Sequence, residues 1–246
     1  MTWSILARDP ETGFYALGIA SRFFAAGAIC MWSGGAPGAA FSQALPNPEL
    51  GHRALGLLRE GHDAASAVEM LVAMDRGIEQ RQLHVIDATG AVAAYTGPNC
   101  IDWCGHAAGP GVSVAGNMLA GRGVVEATLT TWQNATALPL VDRIIAAMQA
   151  GEDAGGDKRG KQCAALRIQG PEVYPRLDIR VDDHPQPLNE LRRLYAAARE
   201  RFIPFSAGMP RRERPYGILD RTVTERIIER DADKPWHHDP EIPEGP

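Results

Sequence analysis

Thr2 directly follows Met1 and leads into Trp3-Ser4-Ile5-Leu6-Ala7-Arg8, a short apolar run that reads as a strand. A residue as small as threonine at the second position lets the initiating methionine be trimmed. One residue would then carry both a free α-amine and a hydroxyl. The amine has an ordinary pKa of ~7.7–8.0 and can take a proton near neutral pH. The hydroxyl beside it is a nucleophile with a built-in base. Rival chemistry is thinner. Cys100-x-x-x-Cys104-x-His106 offers a partial zinc set but no obvious fourth ligand, and reads as buried thiols near a loop, so no metal is expected. His237-His238-Asp239 lies in a polar tail and reads as solvated. A Ser-His-Asp triad lacks its Gly-x-Ser-x-Gly elbow. Gly109-Pro110-Gly111 lacks the third glycine and following helix of a dinucleotide loop.

The 246 residues are 45% hydrophobic and 22% charged, which suits one larger globular domain or one domain with an appendage. A core of that size needs no disulfides. Net charge is −5, and the basic cluster Arg211-Arg212-Glu213-Arg214 is short and interrupted, so nucleic acid is not an expected partner. Arg8 and Asp9 interrupt the first apolar run, which argues against a signal peptide. No apolar stretch reaches the ~20 residues of a membrane span. The expectation is a cytoplasmic protein whose four cysteines, Cys30, Cys100, Cys104 and Cys163, are reduced thiols.

The elements that must hold Thr2 follow from patterning. Residues 3–8 and 14–20 read as strands around the turn Asp9-Pro10-Glu11-Thr12-Gly13. Both are nearly continuous apolar or small runs, which predicts burial on both faces. A strand over 38–43 follows a glycine-rich loop from Ser33 to Gly38. Helices are predicted over 49–60 and 63–75, the second capped by Asp63. A hairpin over 82–87 and 91–95 comes next, then a short strand over 111–115 ending at Gly116-Asn117. Helices at about 121–134 and 138–150, strands at 162–169 and 176–181 and a helix over 186–202 complete the main body, residues 1–202. Residues 203–246 are rich in proline and charge, with one further helix over 220–230, and read as an extension that is a partly ordered arm, an oligomer contact or disordered. Clustered strands and paired helices, without βαβ alternation, argue against a doubly wound parallel sheet. An α+β fold of two stacked, mainly antiparallel sheets, each covered outside by helices, fits the order.

Several stretches together resemble the DUF1028 family. They are the opening Met-Thr-Trp-Ser-Ile-Leu-Ala-Arg-Asp-Pro-Glu-Thr-Gly with Leu17-Gly18-Ile19-Ala20-Ser21-Arg22-Phe23-Phe24, then Gly116-Asn117-Met118-Leu119, then Gly155-Gly156-Asp157-Lys158-Arg159-Gly160-Lys161-Gln162, and then Asp178 to Pro185. The resemblance covers roughly residues 2–200. It implies membership of the N-terminal-nucleophile (Ntn) hydrolases, whose architecture is a four-layer αββα sandwich, and an active site built on Thr2. In that site the Thr2 hydroxyl attacks and its amine takes the proton, so no cofactor is needed. Ser21-Arg22 resembles the Asp-Ser-Arg stretch of proteasome-type Ntn enzymes, without its acidic residue. Gln43 falls near where that group keeps a lysine and, being neutral, would polarise the hydroxyl only weakly. Asn117 is a candidate oxyanion donor, by side chain or by nearby backbone N–H. Asp157 and Arg159, with Arg22, could bind a substrate carboxylate or amine. The family usually has Arg and Ser where this chain has Lys158 and Cys163. The expected activity is cleavage of a linear amide in a small, nitrogen-containing metabolite. The alternatives are a non-catalytic small-molecule-binding protein on the same fold and a peptidase relative without a small-molecule pocket. Such folds often assemble, and a homodimer is expected.

Overall fold

The computed structural model describes residues 2–35 and 37–236. Met1 and His237-His238-Asp239 lie outside the described residues. Strand β1 (Thr2–Arg8) and strand β2 (Tyr15–Ser21) form the opening hairpin, and nearly every residue of both is buried. Helix α1 (Ala26–Cys30) and strand β3 (Met31–Trp32) follow, then strand β4 (Gly38–Ala44). Helix α2 (Pro48–Arg59) is capped by Asn47, whose side chain accepts from Glu49 N, with Pro48 at the first turn. Asp63 caps helix α3 (Ala64–Met74) by accepting from Ser66 N. Strands β5 (Arg81–Asp87), β6 (Val92–Thr96), β7 (Trp103–Gly109) and β8 (Val112–Leu119) come next. Helices α4 (Gly123–Asn134) and α5 (Leu140–Asp153), strands β9 (Cys163–Gln169) and β10 (Leu177–Val181), and helices α6 (Pro187–Glu200), α7 (Phe202–Ser206) and α8 (Arg221–Asp231) complete the described chain.

The strands make two sheets, one in the order β10-β9-β2-β1-β8-β7 and one in the order β3-β4-β5-β6. Every pairing is antiparallel. The sheets face each other through β1, β8, β4 and β5; α4 and α5 cover the outside of the first, and α2 and α3 the outside of the second. This is the four-layer αββα sandwich. Side chains alternate along each strand. Leu6, Leu17 and Ile19 meet Ala39, Phe41 and Ile86 between the sheets. Ala40, Leu83 and Val85 point the other way, into α2 and α3, against Leu57, Leu58 and Leu71. Strands buried on both faces explain why the apolar runs do not alternate with polar residues.

Three local expectations are corrected. Strand β7 was not foreseen: Cys104, Gly105, His106 and Gly109 carry little strand propensity, and β7 is an edge strand, only partly buried. Strand β8 does not stop at Gly116-Asn117 but runs to Leu119, because β1 and β7 pair along both its flanks. Helix α1 and strand β3 replace what read as chain between two strands. The described residues fall into two compact units that divide between Leu191 and Arg192. The composition change near residue 203 lies inside the second unit. There Asp220 caps α8, Arg201 pairs with Glu225 at 2.6 Å, and Ile227 and Ile228 are buried.

Candidate active site

Register brings the polar ends of four strands into one row. Thr2 lies opposite Ser21 on one flank of β1 and opposite Asn117 on the other, and Ser21 lies opposite Cys163 of β9. The Thr2 Oγ1 and Ser21 Oγ atoms are 3.0 Å apart, within hydrogen-bond distance. Thr2, Ser21 and Asn117 are 5%, 2% and 2% exposed. All three share strand parity with Leu6, Ile19 and Ala115, so they belong to the face turned toward the second sheet.

Gln43 stands across the gap on β4, but its bonds do not go to Thr2. Its Oε1 accepts from Ser4 Oγ at 2.7 Å, and its Nε2 donates to Gln82 Oε1 at 2.9 Å and to the Ala115 carbonyl at 3.3 Å. Gln82 Oε1 also accepts from Asn117 Nδ2 at 3.1 Å. Ser4 Oγ further meets His84 Nε2 at 2.9 Å, and His84 Nδ1 meets Ser113 Oγ at 3.1 Å. A continuous polar chain therefore runs between the sheets from Asn117 through Gln82, Gln43, Ser4 and His84 to Ser113. Burial, with His106 adding a smaller push, drives the His84 pKa down to about 3, so the ring is neutral. A neutral imidazole carries one N–H. Ser4 donates its only hydrogen to Gln43, so His84 Nε2 holds the proton and donates to Ser4, while Nδ1 accepts from Ser113.

Ser4, Gln82, His84 and Ser113 were missed as site residues. The signal was present: Thr2 and Ser4, and Gln82 and His84, sit two apart in otherwise apolar strands, which places each pair on one face. A polar residue in a strand buried on both sides must find a partner there.

The glycine-rich stretch after α5 closes the other side. Asp157 accepts from the backbone N–H of Arg22 at 2.7 Å and of Arg159 at 2.9 Å, and from Arg159 Nη2 at 3.3 Å. Arg22 Nη1 donates to the Lys161 carbonyl at 3.3 Å. Gly155, Gly156 and Gly160 adopt left-handed φ of 114°, 49° and 109°, which lets this loop wrap around Arg22. Arg22, Asp157 and Arg159 are thus together, and Asp157 is spent on holding the chain just after Ser21. Lys158 pairs with Asp102 at 2.5 Å, and Lys161 with Glu152 at 2.6 Å.

Behind Ser21 lies a pocket with an empty volume of about 380 Å³ including its mouth, floored by Trp3 and bounded by Asp157, Lys161, Cys163 and the loop glycines. Thr2 does not line it; Ser21 connects the two. Burial pushes the Cys163 thiol up, and that of neighbouring Cys30 up to about 12, so neither competes as a nucleophile at neutral pH. Among the described residues no cluster of three His, Cys, Asp or Glu side chains could hold a metal, and no helix is long and apolar enough to cross a membrane. Cys100 lies in the turn before β7 and Cys104 within it, both half-buried rather than buried because β7 is an edge strand, and His106 Nδ1 bonds Thr96 Oγ1 at 2.9 Å.

Fold and site together define an αββα sandwich with a hydroxyl and amide cluster at one end of the inter-sheet layer. Residues 2–191 match DUF1028, a family of unknown function, and the chain belongs to that family. It is similar, at 32% identity and a TM-score of 0.82, to the crystal structure of protein SPO2555 from Silicibacter pomeroyi, also of the DUF1028 family. That match covers 89% of this chain and 96% of the other. A remote likeness, at 10% identity and a TM-score of 0.40, is to Anbu (ancestral beta-subunit) from Yersinia bercovieri, over 85% of this chain and 98% of that one. At that distance it bears on neither fold nor activity. No curated protein matches the chain.

Proposed function

We propose that the protein is an Ntn-type amidohydrolase that cleaves a linear amide in a small, nitrogen-containing metabolite through an acyl-enzyme on Thr2. The observation that carries this reading is the Thr2 hydroxyl within 3.0 Å of Ser21 Oγ, with Asn117 opposite Thr2 on the other flank. With Met1 removed, the Thr2 amine takes the hydroxyl proton as Oγ attacks the amide carbon. The C–Oγ bond forms, the C–N bond breaks, and the amine returns the proton to the departing nitrogen. Water then hydrolyses the ester, again with the amine as base. Ser21 holds the attacking oxygen, Asn117 donates to the oxyanion, and the pocket behind Ser21 receives a compact substrate. Arg22 and Arg159 present cationic groups beside it, with Asp157 fixing the loop that carries them. Gln43 acts through Ser4 and Gln82 rather than on Thr2. No cofactor enters this scheme. A cytoplasmic homodimer belongs to the same proposal, and size exclusion with light scattering reads the assembly.

Intact-mass analysis of an active preparation should show a chain starting at Thr2, and Thr2→Ala should abolish turnover on whichever member of a panel of acylated amines, ureido compounds and amino-acid amides is cleaved. Activity with Met1 retained would end the free-amine mechanism. A second reading, a non-catalytic binder on this fold, is favoured by Gln43: the expected neighbour of Thr2 is neutral and bonded elsewhere. Binding of a panel member without turnover by a chain that begins at Thr2 would establish it.

A further inference from the structure

Gln82 is buried between the sheets with every polar group engaged. Its Nε2 faces three acceptors: Thr96 Oγ1 at 2.9 Å, the Gly105 carbonyl at 3.1 Å and the Gly116 carbonyl at 2.8 Å. Carbonyls only accept, so the nitrogen must lie on that side. The oxygen is thereby turned toward Gln43 and Asn117 and accepts from both, at 2.9 Å and 3.1 Å. The Gln43 amide is fixed in the same sense by the Ala115 carbonyl, which needs its nitrogen. Facing an oxygen, Asn117 must present its own nitrogen and not its carbonyl. One of its two amide hydrogens goes to Gln82, which leaves the second for another acceptor. The neighbouring backbone donor is already spent, because Met118 N–H donates to the Ile101 carbonyl at 3.0 Å. Of the two oxyanion donors considered at this point, the side chain remains.

We infer that Gln82 is a positioning residue: by accepting one Asn117 amide hydrogen it sets the polarity of that amide and presents the other hydrogen to the oxyanion that forms on Thr2. The inference rests on the proposed role of Thr2 and assigns a residue on the opposite sheet to the same site. Its basis is the direction of the hydrogen-bond chain, which two glycine carbonyls fix at one end.

The test uses the full chain and a β-lactone, which Thr2 Oγ opens by forming the acyl C–Oγ bond as the ring C–O bond breaks, the hydroxyl proton passing through the amine to the released alkoxide. Acylation is followed by mass spectrometry of the N-terminal peptide. Asn117→Ala should slow it by ~10²-fold or more. Gln82→Met, similar in shape but without the acceptor, should slow it ~10–100-fold through misplacement of the amide. Gln82→Glu, protonated in this burial, keeps an oxygen toward Asn117 and should restore most of the rate. In the Asn117→Ala background, Gln82→Met should cost nothing further. Wild-type rates in Gln82→Met, or equal losses with and without Asn117, would overturn the inference.

If the wild-type chain is not acylated at Thr2, the hydrolase reading fails, and nuclear magnetic resonance of the Asn117 side chain decides the inference by itself. Its two amide hydrogens, identified by their loss in Asn117→Asp, should exchange unequally in the unmodified protein, one protected by Gln82 and the other not. Equal exchange would refute it, and this measurement also decides the matter if Gln82→Met does not fold.

Discussion

Asp157 shows how much one side chain can organise. Its carboxylate is buried and accepts two backbone N–H groups, those of Arg22 and Arg159, which no strand ladder would satisfy. Asp157→Ala should leave both donors without a partner and cost about 1–3 kcal/mol, read from urea denaturation, with loss of whatever activity Thr2 supports. Lys158→Ala removes a partly exposed pair with Asp102 and should change stability by less than about 1 kcal/mol. Equal losses in the two variants would contradict the role given to Asp157. At this scale the sequence shows Thr2, Ser21, Asn117 and Asp157 through their stretches and spacing. It hides Gln82 and His84, since a lone polar residue in an apolar strand does not say which residue of another sheet it meets.

Two helix glycines sit in opposite surroundings. Helix α5 packs against Trp3 at Gly151, where an added Cβ would fall 2.3 Å from Thr128 Oγ1 and 2.8 Å from Trp3 Nε1. Gly151→Ala should therefore destabilise by ~1–3 kcal/mol and disturb the Trp3 floor of the pocket. Gly56, inside α2, would meet nothing within 4 Å, and Gly56→Ala should stabilise by roughly 0.5–1 kcal/mol through backbone entropy alone. Thermal melts of the two variants should move in opposite directions, and a shared direction would refute the packing argument. The longer helices were legible, because Asp63 marks the start of α3 and apolar spacing marks their faces. Strand β7 was not legible, because its place is set by the partner strand β8 rather than by its own glycines and small residues.

Across the whole molecule, His84 links the sandwich to acidity. Its folded pKa of about 3 lies below the ordinary 6.5. Between those values the unfolded chain holds a proton that the folded protein refuses, so folding stability rises with pH across this window. Acidification from about pH 6.5 toward 3 should erode stability by up to ~1.4 kcal/mol per unit from this residue alone. His84→Gln should be less stable at pH 7, through its lost contacts with Ser4 and Ser113, yet show a shallower fall between pH 6.5 and 5. Parallel falls in the two proteins would mean that His84 is not the titrating group.

The position of β1 in the sheet order sets a timetable for the newborn polypeptide. Its first flank finds β2 within a few residues of synthesis, but the other flank waits for β8, about a hundred residues further on. At ribosomal speeds of ~5–20 residues per second that delay is roughly 5–20 s. For that interval the leading strand is half-clasped and within reach of enzymes that act on emerging chains, and once residues 112–119 dock it is walled in on both sides.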